Sequence, residues 1–190
     1  MTAYRPEFEA ALRLFARVSE AMTARGFQAP VLVGGAAVEV YSLSAIATGD
    51  FDISTGAQDA FEEELQRHGF VRPSGPGVAT RGWIHPELAL GFEVVTATLL
   101  GGMADRERVR MIDAGEGQSV SVISLEDIIA DRMGQFASGS APTMFAQAKA
   151  AQLKKEANAE KLPALFDKTL NALVTACEKL EAITAERDQL

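Results

Sequence analysis

Little in this sequence could build a soft-donor metal cage. In 190 residues there is one cysteine, Cys177, and two histidines, His68 and His85. A lone cysteine excludes an internal disulfide framework and a cysteine-based zinc site, and two histidines are too few for a histidine-rich one. No apolar run approaches the roughly 18 residues of a membrane span, so no membrane partner is expected. The opening "MTAYRPEFEA" mixes charges of both signs and has no signal-peptide pattern, which makes the cytoplasm the expected location. Lysine is missing from the whole first part of the chain. All six lysines lie at or beyond position 149, and before that the cations are 11 arginines against 19 acids. The last 47 residues balance at seven of each sign, so the net charge of −8 belongs to residues 1–143. Such an acidic surface disfavours extended nucleic acid as a partner. A tRNA stays open, because a local cleft can be basic while the whole is acidic.

What is present suffices for a sizeable core: 47% of residues are hydrophobic and the mean hydropathy is +0.04. The composition break near Met144 divides the chain into an α/β body, 1–143, and a charge-balanced helical extension, 144–190. Pro6 opens a helix whose stripe Phe8, Leu12, Phe15, Val18 and Met22 repeats at helical spacing, and Gly26 ends it. "PVLVGG" predicts a short buried strand, "AAVEVYSL" a short helix with the glycines at its mouth, and "DFDIST" a strand. A helix over "AQDAFEEELQRHG" follows. Further strands are predicted in "RGWIHP", at a sheet edge, in "LALGFEVVTATLL", and on both sides of the turn in "ERVRMIDAGEGQSVSVI". "SLEDIIADRMGQFA" reads as a helix capped by Ser124 with Asp127 in a capping-box-like position. Two more helices, broken near Pro163, complete the pattern. The fold predicted is a mixed sheet of about five strands flanked by helices, with a helical extension.

The chemistry concentrates in residues 31–55. Side chains alternate along a strand, so Asp50 and Asp52 share one face, about 7 Å apart at the backbone, while Phe51 and Ile53 face the core. Two carboxylates so placed repel unless a cation lies between them. Oxygen donors without histidine or cysteine suit Mg²⁺ or Mn²⁺. Glu93, in "GFEVVT" between Phe92 and Val94, is the candidate third acid, on a strand expected beside the first. Gly34 and Gly35 open a helix, where free N–H groups and the dipole favour an anion and glycine lets a phosphate reach the backbone. An anion cradle next to carboxylate-held cation positions describes a metal–nucleoside triphosphate site.

"VGGAAVEVYSLSAIATGDFDIS" resembles the signature of the DNA polymerase β-like nucleotidyltransferase superfamily: an apolar residue and Gly-Gly, a short helix and loop, then Asp-x-Asp. Within it the chain resembles small bacterial nucleotidyltransferase-like proteins, including AbiEii-type toxins. "SLEDIIADRMGQF" is similar to a Leu-Glu-Asp-Leu-Ile-x-x-Lys helix of that group, with Arg132 in place of the lysine. The resemblance implies that Gly34 and Gly35, with Thr48 and Arg132, face the nucleotide. It further implies Asp50 and Asp52 as metal ligands and Glu93 as a third acid that assists deprotonation of an acceptor hydroxyl. Nucleoside monophosphate would pass from an NTP to an acceptor of unknown identity: a protein, an RNA end or a small molecule. Fourteen residues separate Gly35 from Asp50, slightly more than is common, and Ile46 stands where many relatives carry arginine. Arg81, Arg132 or the tail lysines could replace that cation. A catalytically weak or inactive nucleotide-binding or partner-binding protein, such as a toxin–antitoxin component with an antitoxin partner, is the alternative. Arg132 also has two candidate partners on its own helix, Asp127 and Asp131.

Overall fold

The computed structural model describes residues 4–73, 82–88, 90–139 and 143–157, the stretch 153–157 by its backbone alone. Helix α1 (Pro6–Ala24) starts at its proline and gives way to Gly26 at φ +84°, a left-handed position that suits glycine. Strand β1 (Val31–Val33) runs straight into α2 (Gly34–Ser42). Strand β2 (Asp50–Ser54) and α3 (Gln58–Arg67) follow, then β3 (Trp83–His85) and β4 (Leu90–Thr96). Two short 3-10 turns lead to the hairpin β5 (Arg110–Gly115) and β6 (Gln118–Val122), and α4 (Leu125–Ala137) and α5 (Met144–Ala157) complete the described chain.

The sheet has the order β3-β4-β2-β1-β6-β5. β1 pairs parallel to β6 and β2 parallel to β4; the remaining pairings are antiparallel, so the sheet is mixed as expected. It holds six strands, not about five. The three-residue β3 lies at an edge, as predicted for "RGWIHP". β4 stops at Thr96 and does not continue through the following leucines, because Leu100 and Gly101 adopt positive φ and turn the chain at Leu99–Gly102.

One face of the sheet makes the core with α1 and α3. All five stripe residues of α1 are fully buried. Phe51 of β2 stacks on Phe92 of β4 at 4.7 Å, and Phe8 and Phe15 of α1 pack on Phe51 at 5.2 and 6.4 Å. Fully burying one such ring is worth about 2–3 kcal/mol, so this cluster anchors β2 and β4 side by side. The other face looks toward α4. Ser124 caps that helix: its hydroxyl accepts from the Asp127 N–H at 3.1 Å and donates to the Asp127 carboxylate at 2.7 Å. The carboxylate thus closes the box on the serine hydroxyl. α5 packs on α4 through Ile129, Met133, Ala148 and Ala151, and also against α2. No helix among the described residues is long and apolar enough to cross a membrane. The second tail helix expected near Pro163, and Cys177, lie outside the described residues.

Candidate active site

The site grows from the alternation of β2. With Phe51 and Ile53 fixed in the core, Asp50 and Asp52 must emerge on the opposite face. In the ladders Asp52 lies opposite Val33 of β1 and opposite Glu93 of β4. Register partners point to the same side, so Glu93 shares the face of the two aspartates. Asp50 is exposed; Asp52 and Glu93 are half-buried.

Asp52 stands at the mouth of α2. Gly34 has φ +59°, and a Cβ there would lie 2.6 Å from the Asp52 Cβ, so only glycine fits. The Gly35 N–H points at Asp52 Oδ2 from 3.4 Å, a long hydrogen bond. Burial pushes the Asp52 carboxyl above its ordinary range, and the charges of Asp50 and Glu93 push it further. The Gly35 N–H and the Arg132 guanidinium oppose this only in part. The half-buried acid is therefore undercompensated.

Arg132 comes from α4. It is 5% exposed, yet its Nε has no hydrogen-bond partner among the described residues. Its Nη1 donates to Gln135 at 3.2 Å and rests against the Met144 sulfur at 3.1 Å. Of its two candidate partners on the same helix, Asp131 approaches only to 3.7 Å, and Asp127 is held by Arg108 at 2.7 Å. A cavity of about 310 Å³ is lined by Gly34, Asp52, Thr96, Asp131, Arg132 and Gln135. Glu93 lines a neighbouring cavity of about 680 Å³ together with Gln58, Glu62, Arg72 and Trp83, and Val95 of β4 borders both.

Among the described residues, no three histidine, cysteine, aspartate or glutamate side chains close into a metal cage. Mg²⁺ does not need one: it is commonly held by one or two carboxylates, with water and substrate phosphates completing its shell. Asp50 and Asp52, hard oxygen donors on one face of β2, fit that mode of binding.

Thr48 packs on the same mouth. A Cβ on Gly35 would lie 2.7 Å from its hydroxyl, which also lies 3.2 Å from Asp50 Oδ1. Ile46 is half-buried against the core. A guanidinium does reach this loop, from a residue that the sequence pattern does not single out. Arg5 donates to the Thr48 carbonyl at 2.5 Å and to the fully buried Glu39 of α2 at 2.6 Å. The only hint in the sequence is an acid inside an otherwise apolar helix. Arg81 lies outside the described residues, as do Lys161, Lys168 and the side chains of Lys154 and Lys155; Lys149 is exposed. His85 sits edge-on to Phe70, and His68 Nδ1 contacts the Glu64 carbonyl at 2.8 Å near the end of α3; neither lines the cavities above.

No protein-family model matches the sequence, and no curated protein matches it either. Solved structures do. A nucleotidyltransferase-like antigenic protein from Paracoccidioides brasiliensis is similar at TM-score 0.60 and 15% identity, over 94% of this chain and 92% of that one. The antibiotic-resistance factor ANT(2'')-Ia in solution is similar at TM-score 0.52 and 15% identity, over 95% and 97%. The same factor in crystals with adenylyl-2''-tobramycin is similar at TM-score 0.54 and 14% identity, over 90% and 99%. At such identities the likeness speaks for architecture, and the architecture of this chain is a nucleotidyltransferase-like mixed α/β fold.

Proposed function

We propose that the protein is a metal-dependent nucleotidyltransferase that moves a nucleoside monophosphate from an NTP to a hydroxyl group. The observation that carries this reading is the 310 Å³ cavity. Gly34 at the mouth of α2, the undercompensated Asp52 and the buried Arg132, whose Nε has no hydrogen-bond partner among the described residues, all line it. An anion would satisfy the arginine and the helix mouth, while a cation would satisfy the acids. A metal-bound triphosphate supplies both charges.

Bound at Asp50 and Asp52, Mg²⁺ or Mn²⁺ would polarise the α-phosphate and steady the departing oxygen. The rest falls to the chain. The Gly34–Gly35 mouth and Arg132 hold the phosphates, and Thr48 shapes the turn against them. The acceptor approaches through the larger cavity beside Glu93. Its hydroxyl oxygen attacks the α-phosphorus, the bond from that phosphorus to pyrophosphate breaks, and the hydroxyl proton passes to the Glu93 carboxylate. Glu93, the ladder partner of Asp52, would share in holding the metal.

The similarity to a protein solved with adenylyl-2''-tobramycin favours a small hydroxyl-bearing acceptor over a protein or an RNA end. The finer kinship, with AbiEii-type toxins and an antitoxin partner, rests on the stretch 31–55 and the α4 motif. We read the enzyme as cytoplasmic. Each α-labelled NTP should be incubated with Mg²⁺ or Mn²⁺ and cell extract, beside Asp52→Ala. Label transfer that vanishes in the variant supports the enzyme. Metal-dependent NTP binding without transfer supports the non-catalytic alternative. If no nucleotide binds or is transferred, the proposal fails.

A further inference from the structure

We propose that Arg5 and Glu39 are a positioning pair that sets the turn Thr48–Asp50, and with it the first acid, against the mouth of α2. The inference rests on reading Asp50 as an acid of the site. Glu39 is fully buried, and its two oxygens accept from four donors. Arg5 grips it with a fork, Nε at 2.6 Å and Nη2 at 3.2 Å. The Ser44 hydroxyl donates at 2.9 Å and the Thr48 N–H at 2.6 Å. Arg5 Nη2 also takes the Thr48 carbonyl at 2.5 Å.

Both backbone polar atoms of one residue, Thr48, are thus held by the same ion pair. The Thr48 side chain transmits that placement in two directions, to Asp50 Oδ1 and onto Gly35. The pair also restrains unfavourable backbone. Leu43 and Ser44 are consecutive non-glycine residues with φ of +53° and +59°. Ser44 is pinned there by Glu39 and by the Arg5 N–H, which donates to its hydroxyl at 3.2 Å. Strain of this kind persists where surrounding contacts over-determine it, and it gathers at functional sites. The planar guanidinium takes both Glu39 oxygens and the Thr48 carbonyl in one fixed geometry, so lysine at position 5 keeps the charge but not the fork.

The test uses the full chain and two variants, Arg5→Lys and Glu39→Gln; should Glu39→Gln not fold, Arg5→Lys decides. Amide hydrogen exchange is read over residues 44–50, and Mn²⁺ is titrated in the presence of a non-hydrolysable NTP. The expected result is exchange about tenfold faster over 44–50 and Mn²⁺ binding about tenfold weaker, as for loss of one charge-assisted hydrogen bond. Protection of α1, of β4 and of β2 beyond Asp50 is retained. Exchange over 44–50 that does not change, or that rises equally throughout the chain, overturns the proposal. If the unaltered protein binds no Mn²⁺ or nucleotide, the proposed function fails, while the exchange measurement still decides the role of the pair.

Discussion

Helix α2 has a buried acid in its second half and meets a half-buried acid at its mouth, and the two are kept in opposite ways. Glu39 has every lone pair addressed, by a guanidinium fork, a hydroxyl and an amide. Asp52 has one long contact from the Gly35 N–H and two carboxylates for neighbours. A buried charge is tolerable only when it is paired and hydrogen-bonded. Glu39 meets that condition from within the chain, so its work is structural. Asp52 does not, and in the proposed function a bound cation would supply what the chain leaves out. On the proposed function, the contrast would separate a carboxylate that builds the site from one that uses it.

Four experiments press on this contrast. The largest effect is expected for Asp52→Ala, which should lower nucleotidyl transfer by about a thousandfold or more while leaving the thermal midpoint in place, since it removes transition-state charge stabilisation and no core contact. Transfer assays and calorimetry on the same preparation check it. Glu39→Ala should do the reverse to stability, costing about 3 kcal/mol or more by denaturant unfolding, because it breaks a buried pair from one side. Equal stability losses in the two variants would erase the distinction.

Next, Mn²⁺ with nucleotide at about a hundred times the dissociation constant should stabilise the protein by about 2.7 kcal/mol. In Asp52→Asn that gain should be absent, and the metal-free protein should melt no lower than the parent. The smallest effect concerns acid. Burial alone would raise the Glu64 carboxyl, but Arg25 and Arg67 outweigh burial and hold it below its ordinary 4.5. Its contribution to stability is full above 4.5 and is lost as pH falls through the lowered value. Asp52, raised from 3.8, runs the other way: its protonated form favours the metal-free fold, and that contribution is lost as pH rises through the raised value. Acid unfolding of Glu64→Gln should therefore show a shallower loss below pH 4.5.

The parts of the site that lie close in sequence, or on strands with a clear two-residue period, are legible from the residues alone. "DFDI" alternates, and Glu93 follows directly on Phe92, so the faces of Asp50, Asp52 and Glu93 follow from the core positions of Phe51, Ile53 and Phe92. Gly34 and Gly35 are legible because the strand runs directly into the helix with no room for side chains. The Arg5–Glu39 pair is not legible. Its members are 34 residues apart, and an acid on a short helix reads as exposed until the loop 44–48 is folded over it. The orphaned donor of Arg132 is hidden for a similar reason. The sequence offers Asp127 as a partner on the same helix, but Arg108, from a distant turn, takes that carboxylate.

Mn²⁺ binding, followed by electron paramagnetic resonance in the presence of each non-hydrolysable NTP, tests the central claim most directly. The predicted result is a bound Mn²⁺ in the unaltered protein with at least one nucleotide, its loss in Asp52→Asn, and its retention in Glu62→Gln, whose carboxylate lines the neighbouring cavity and is paired with Arg72. Binding that survives unchanged in Asp52→Asn, or no binding with any nucleotide, would contradict it.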